Sequence, residues 1–496
     1  MRITMVLADL LADAKDYTLL KGNTEIEISD LVYDSRKVKK GCLFFCVVGS
    51  RMDSHNFIEE AVEKGAAAIV IERDIEILPD ITIIRTSHSK KLLSYLSAAF
   101  FHYPARVLTT IAITGTKGKT TTAYMIKELL EASGKVTGMI GTIGAGYRDV
   151  VIETHNTTPE SYEIQKIFRQ MADAGVTHVV MEVSSQAYLT YRVAGMKFDY
   201  GIFTNLSPDH IGEGEHKDFA EYLQCKSQLF QNCRIGIVNQ DDEHTEELLK
   251  NHTCQIRTFS VEGEADLIAR NVVCCQKPGF IGIRFQTDGA YQMEVEVGCM
   301  GRFNAWNTLA ALSAAALLDV KPDIVKKVMY HMAVRGRVEP VHISDRFHLI
   351  IDYAHNAVSA ESLLATMREY HPKRLVAVFG AGGNRSKLRR YDMGEISGKY
   401  ADLSVLTADN PRFEKVEDII ADIEIGIKKT NGAYIKIPNR RDAIRYVIET
   451  AEDGDLIALF GKGHEDYQEI EGVRYPFDER VVIAEIVREL AGGRQM

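Results

Sequence analysis

A chain of 496 residues exceeds what one hydrophobic core usually covers, and a composition of 46% hydrophobic and 26% charged residues excludes intrinsic disorder. A formal net charge of −10 excludes a general basic field for nucleic acid, so the basic residues are local tools. The eight cysteines lack metal-ligand spacing and read as free, mostly buried thiols, while Asp9, Asp13, Lys15 and Asp16 interrupt any signal-peptide core and no run reaches the ~18 apolar residues of a membrane span. A cytoplasmic protein without membrane insertion is expected.

Residues 22 to 100 alternate short strands and helices. Gly41 to Val48 and Ala66 to Ile71 are strand-like, Phe57 to Val62 is helical, and the polar run Thr86 to Lys91 opens a helix reaching about Phe101. Pro104 then breaks the pattern, which predicts a small α/β domain over residues 1–104. Strands near 107–114, 136–140, 178–183, 200–204 and 235–239, separated by helical stretches, predict a central domain over 105–334 with a mostly parallel, doubly wound sheet. The alternation returns in Leu349 to Asp352, Leu375 to Phe379, Leu403 to Leu406 and Leu456 to Phe460, with Ile444, Val447, Ile448 and Ala451 at helical spacing. A third, Rossmann-like α/β domain over 335–496 is expected, giving three in all.

The chemistry concentrates at strand ends. The apolar strand Val107 to Ile113 runs into Gly115-Thr-Lys-Gly-Lys-Thr120, followed by a helix with Met125, Ile126, Leu129 and Leu130 on one face. Such a loop marks a nucleoside triphosphate site: Gly115 and Gly118 let N–H groups close on phosphate oxygens, Lys119 reaches the β/γ-phosphates, and Thr120 offers its hydroxyl to Mg²⁺. Ile113 stands where the usual pattern has its first glycine, so this is a shortened variant. Glu182 closes the strand from His178 and should emerge at the ligand-binding edge of the sheet, placed to hold Mg²⁺. Asn205, Asp209 and His210 form a second polar cluster at that edge, whereas Lys226 reads on its own as an ordinary helix lysine. Asn304 and Asn307 are i, i+3 neighbours that either read a base edge or cap a helix. Further on, Gly380 to Arg385, Asp409 to Arg412 and Gly461 to Glu465 each follow an apolar strand. Two arginines and carboxylates there suit a ligand carrying both carboxylate and ammonium groups.

With these residues assembled, the chain resembles the Mur ligases of bacterial peptidoglycan synthesis over nearly its whole length. The resemblance rests on the phosphate loop, Asn156 to Glu160, Met181 to Ser185, Asn205 to His210, Gly301 to Asn307, Asp352 to His355, Asp409 to Arg412 and Gly461 to Glu465. It implies a UDP-sugar-binding N-terminal domain, a central ATPase domain and a mobile C-terminal domain. It also implies an ADP-forming reaction in which ATP phosphorylates the D-Glu γ-carboxylate of UDP-MurNAc-L-Ala-D-Glu and an amine then displaces phosphate. Matched by position, Tyr33, Ser35, Ser50, Arg51 and Met52 would line the UDP pocket, and Thr157, Thr158, Ser184 and Arg192 would hold the sugar-peptide. Gly115, Thr116, Lys117, Gly118, Lys119, Thr120 and Thr121 would bind ATP with Asn304, Asn307, Arg337 and His355. Lys119, Glu182, His210 and Lys226 would be catalytic, and Thr120, Glu182, His210 and Lys226 would hold Mg²⁺, Lys226 as the family's carbamylated lysine. Arg385, Asp409, Asn410, Pro411, Arg412, Gly461 and Glu465 match the amino-acid site of the members adding meso-diaminopimelate, whose second carboxylate gives Arg412 a partner. Ser184-Ser-Gln186 and Ser207 to Gly212 look more like the lysine-adding members, but they lie away from the amine residues. A monomeric enzyme using meso-diaminopimelate is expected, with L-lysine or L-ornithine as the alternative amine. A non-ligating, nucleotide-dependent regulatory protein is the reading from another class.

Overall fold

Apolar strands with β-branched residues form two sets of parallel sheets in the computed structural model, which describes residues 4–49, 52–76, 79–212 and 214–492. The chain divides into two compact units, the first comprising Met1–Leu267 with Leu309–Lys321 and the second Ile268–Thr308 with Pro322–Met496.

In the first unit, an N-terminal sheet runs in the order Thr18–Lys21, Thr82–Arg85, Ala68–Ile71, Leu43–Phe45, Leu31–Val32. Only its first pair is antiparallel. The helix Ser89–Phe100 buries Leu92, Leu93, Leu96, Ala99 and Phe100 in the core of this sheet. The larger sheet centres on Thr109–Thr114, whose Ile111, Ala112 and Ile113 are fully buried between His178–Glu182 and Phe198–Phe203. Ile113 lies in register with both Glu182 and Ile202. All three strands run in one direction, so the loops after Thr114, Glu182 and Phe203 open at a single edge. Cys233–Asn239 and Gln255–Ser260 continue the parallel pairing on one side.

On the other side the sheet departs from the expected alternation. After Thr137–Gly141 the chain reverses through Thr142 and Ile143 into Gly144–Tyr147 and Val150–Ile152, which pair antiparallel. A two-residue hairpin between short, glycine-rich strands carries little periodic signal, so the sequence pattern does not show it.

The second unit has its own parallel sheet, ordered Glu339–Val341, His348–Asp352, Asp455–Phe460, Arg374–Phe379, Leu403–Leu406, Ala433–Lys436, with only the first pair antiparallel. Apolar cores cover both faces, one including Leu364, Phe379 and Ile423, the other Ile351, Val378 and Ile444. A hairpin, Tyr467–Ile470 with Val473–Pro476, follows the last parallel strand. All eight cysteines are free and most are buried, and among the described residues no helix is long and apolar enough to cross a membrane.

Candidate active site

The phosphate loop is held open by its own backbone. Gly115 has φ +150, and a side chain there would collide with the Thr204 hydroxyl, so glycine is required. Gly118, at φ +85, turns the chain into the helix Lys119–Ala132, whose first N–H groups face the loop. Asn205 braces the loop from the neighbouring strand end. Its Oδ1 accepts from Lys117 N at 2.9 Å, its Nδ2 donates to Lys117 O at 3.0 Å, and its carbonyl accepts from Thr116 N at 2.8 Å. Lys119 Nζ donates to the carbonyls of Gly115 and Thr116 at 2.8 and 3.1 Å.

Glu182 meets the loop where the register places it. Thr120 donates its hydroxyl to Glu182 Oε2 at 3.0 Å, Thr142 N donates to Oε1 at 3.0 Å, and Thr142 Oγ1 donates to Oε2 at 3.1 Å. Its side chain is almost fully buried, and any residue larger than glycine at 141 would strike the carboxylate. Thr157 shares a hydrogen bond with Thr142 at 3.1 Å. Thr158 donates to Glu182 O at 2.9 Å and accepts from Ser184 N at 3.0 Å, while Arg192 bonds Thr158 O at 2.9 Å and pairs with Glu160 at 3.1 Å. The residues matched to the sugar-peptide therefore form one hydroxyl-lined edge beside the loop carboxylate. Tyr33 approaches the helix Ser161–Asp173, donating to Glu163 Oε1 at 3.4 Å, and burial raises its pKa. Ser35 begins a short 3₁₀ turn nearby in sequence, Met52 is exposed, and Ser50 and Arg51 lie outside the described residues.

Lys226 is the least ordinary side chain of the site. It sits in the helix Phe219–Gln231 and is 1% exposed, with Nζ donating to Gly115 O at 2.9 Å and lying 4.5 Å from the Tyr222 ring centre. Burial, followed by repulsion from Lys119, pushes its pKa well below the usual lysine value. Tyr222 in turn shares a hydrogen bond with Thr116 Oγ1 at 3.0 Å. The fully buried His216, absent from the sequence reading, bonds Ser185 Oγ through Nε2 at 2.8 Å and lies 3.4 Å from Glu221 Oε2. His210, by contrast, is exposed, in left-handed backbone at φ +54, and its Nδ1 pairs with Glu215 at 3.0 Å. It does not join Thr120 and Glu182, and among the described residues no three histidine, cysteine or carboxylate side chains converge on a metal position.

In the second unit, the loops after Phe379, Leu406 and Phe460 bring Asp409, Asn410, Gly461 and Glu465 together. Asn410 donates to Glu465 Oε2 at 2.8 Å, and Gly461 lies against the Asp409 carboxylate, whose Oδ1 is buried without a hydrogen-bond partner. Pro411 carries Asp409 and Asn410 on to Arg412, whose backbone is left-handed at φ +53. Its Nε donates to Glu469 at 3.2 Å and its Nη1 to Gly383 O at 2.8 Å. Arg385 is exposed, and among the described residues no carboxylate pairs with it. At the centre lies Lys462, which the sequence reading left without a role. It is fully buried and donates to Asn410 Oδ1 at 3.1 Å and Glu465 Oε2 at 3.2 Å. Its place inside the glycine-flanked run Gly461 to Glu465 was the available signal. Arg337 and His355 flank Tyr353, at 5.7 and 4.8 Å from its ring centre. The buried amides of Asn304 and Asn307 serve the start of their own helix, with Asn304 Nδ2 donating to Met300 O at 2.7 Å and Asn307 Nδ2 to Asn304 Oδ1 at 2.8 Å.

A phosphate loop facing a strand-end carboxylate, and a second parallel sheet whose loops gather cations and carboxylates, define a nucleotide-using α/β protein with a separate polar pocket. Family models match in three stretches: Mur ligase family, catalytic domain over 27–105; Mur ligase middle domain over 113–315; and Mur ligase, glutamate ligase domain over 336–463. The UDP-N-acetylmuramoyl-L-alanyl-D-glutamate--2,6-diaminopimelate ligase of Caldanaerobacter subterraneus subsp. tengcongensis is 39% identical over 98% of this chain and 99% of its own. A Clostridium acetobutylicum protein of the same name, numbered 1, is 39% identical over 98% of this chain and 100% of its own. A solved structure of a ligase bearing that name superposes with a TM-score of 0.75 at 27% identity, covering 98% of this chain and 99% of that one. The chain belongs to the Mur ligase family.

Proposed function

We propose that this chain is an ATP-dependent, ADP-forming ligase that joins meso-diaminopimelate to the D-Glu γ-carboxylate of UDP-MurNAc-L-Ala-D-Glu in peptidoglycan precursor synthesis. The observation that carries the reading is the run of Thr120, Glu182, Thr142, Thr157, Thr158 and Ser184 along one strand edge, which joins a phosphate loop to hydroxyls suited to a sugar-peptide. A carboxylate oxygen attacks the terminal phosphorus of ATP, the bond to ADP breaks, and an acyl phosphate forms. The amine nitrogen then attacks the acyl carbon; a C–N bond forms, the C–O bond to phosphate breaks, and the amine loses a proton. Lys119 places a fixed cation where negative charge gathers, and the loop N–H groups orient the phosphates.

Mg²⁺, when bound, neutralises phosphate oxygens. Thr120 and Glu182 would hold it, their hydroxyl and carboxylate oxygens lying 3.0 Å apart beside the phosphate loop as hard oxygen donors. Lys226 fits carbamylation for a specific reason: CO₂ adds only to a neutral amine, and burial favours that form, the new N–C bond costing the amine one proton. The exposed Arg385 and the partly engaged Arg412 supply cations for the carboxylates of meso-diaminopimelate. Three domains divided near 104 and 334, and a monomer working in the cytoplasm, complete this reading. The test is phosphate release: it should require ATP, the UDP-dipeptide and meso-diaminopimelate together, and equal release without the amine, or a preference for L-lysine or L-ornithine, would overturn it.

A further inference from the structure

Lys462 is a fully buried cation that the ligation steps leave unused. Its Nζ donates to Asn410 Oδ1 at 3.1 Å and to Glu465 Oε2 at 3.2 Å, and lies 3.6 Å from Asp409 Oδ1, an ion pair rather than a hydrogen bond. Arg440, buried at the same sheet edge, directs its donors differently, two of them to the main-chain carbonyls of Ala408 and Phe460. Arg440 therefore holds backbone. Lys462 holds side chains, and they are three of the residues matched to the amine site.

The first consequence is direction. Asn410 Oδ1 accepts from Lys462 and also from Glu469 N at 3.0 Å, so its Nδ2 faces the other way, onto Glu465 Oε2 at 2.8 Å. Glu465 Oε2 thus receives two donors. The carboxylate is 17% exposed, and among the described residues no group donates to its Oε1, which is left for a donor from outside.

The second consequence is charge. Asp409 and Glu465 bring two negative charges within 3.6 Å of one Nζ, and Lys462 brings one positive charge. One negative charge remains, which matches one ammonium. Without Lys462 the excess would be two, which favours a lone cation and repels a carboxylate placed beside it.

We propose that Lys462 is a positioning and specificity-determining residue of the amine site: it aims Glu465 and Asn410 and cancels one carboxylate charge, so that the loops favour an amine whose far end is zwitterionic over one ending in an ammonium alone. This rests on the ligase reading and deepens it. Arg412 attracts the far carboxylate of meso-diaminopimelate, and Lys462 removes a charge that would repel it.

The experiment follows phosphate release by the full chain with saturating ATP and UDP-dipeptide, varying meso-diaminopimelate or L-lysine. Lys462→Gln keeps an N–H donor and removes the charge, whereas Lys462→Met removes both. Each should raise KM for meso-diaminopimelate about tenfold or more, the Met variant further, with KM for ATP unchanged. Each should also move the ratio of kcat/KM for meso-diaminopimelate over L-lysine about tenfold toward L-lysine. Adding Asp409→Asn to Lys462→Met restores an excess of one negative charge, which protects folding and should recover most of that ratio. A residue that merely braced the loop would not be rescued in this way. Equal losses with both amines, an unchanged KM for meso-diaminopimelate, or no recovery in the double variant would overturn the proposal and leave the ligase reading standing. Absence of phosphate release by the wild type would overturn the ligase reading and this proposal with it.

Discussion

The phosphate-loop edge of the first unit and the strand-end loops of the second are built from different materials. The first is mostly main chain: the loop conformation depends on Gly115 and Gly118, and the Gly115 carbonyl alone receives both Lys119 and Lys226. The second is a lattice of buried cations. Arg440, fully buried with Glu479 at 2.8 Å, donates to the carbonyls of Ala408 and Phe460, the residues just before Asp409 and Gly461. Arg390 binds Glu414 and Asp422 and donates to Gly382 O, fixing a third loop. The phosphate loop is shaped by its glycines and main-chain bonds, whereas the strand-end loops of the second unit are held by buried ion pairs.

The largest test of this contrast is Glu479→Ala. Removing one partner leaves Arg440 buried and uncompensated, a loss of about 3–5 kcal/mol. Urea unfolding should shift accordingly, and hydrogen exchange should rise at Ala408 and Phe460 while the amides of Gly115 to Thr120 stay unchanged. Stability within measurement error of wild type would mean that the pair does not hold these loops.

The same contrast explains what could be read from sequence. Gly115 to Thr120 was legible because a backbone site needs glycines at fixed offsets, and Glu182 because a parallel strand must end at the same edge. Lys226 was not, since its meaning comes from burial and from a carbonyl 111 positions away, so only the family resemblance singled it out. His216 and Thr142 were missed for the same reason: their partners, Ser185 and Glu182, lie 31 and 40 positions distant. The pair Asn304 and Asn307, at helical spacing, fits a base or a helix start equally well, and the hydrogen bonds it makes, to Met300 O and within the pair, belong to the helix start.

A second, somewhat smaller effect belongs to the phosphate side. Lys226→Ala should lower turnover about 10²–10³-fold, the scale of losing one charge-stabilising group. Burial opposes a charge on this side chain, so losing its hydrogen bond to Gly115 O should cost less than breaking a buried ion pair. Turnover of the wild type should fall when dissolved CO₂ and bicarbonate are stripped, and return faster at higher pH, where more of the amine is neutral. Short carboxylates should restore part of the activity of the alanine variant. Full activity in Lys226→Ala would remove this lysine from the chemistry altogether.

The smallest effect expected is also the most selective. Arg412 carries five N–H donors, and two of them are already given to Glu469 and to the Gly383 carbonyl. What remains is enough for one carboxylate, held in place by a guanidinium that the hairpin strand Tyr467–Ile470 keeps from swinging: Arg412 N donates to Glu469 O at 3.0 Å and Glu471 N to Arg412 O at 2.7 Å. Arg412→Lys keeps the charge and loses the fork, so kcat/KM for meso-diaminopimelate should fall about tenfold to a hundredfold, the value of a charge-assisted bond. Activity with L-lysine, which has no second carboxylate, should not change. Glu469→Gln should act in the same place with opposite sign and smaller size, because it frees a partly exposed cation from a partly exposed counter-ion, and KM for meso-diaminopimelate should drop a few-fold at low salt. If Arg412→Lys lowers both amines equally, Arg412 shapes the loop, and the choice of substrate lies with Arg385 or Asp409.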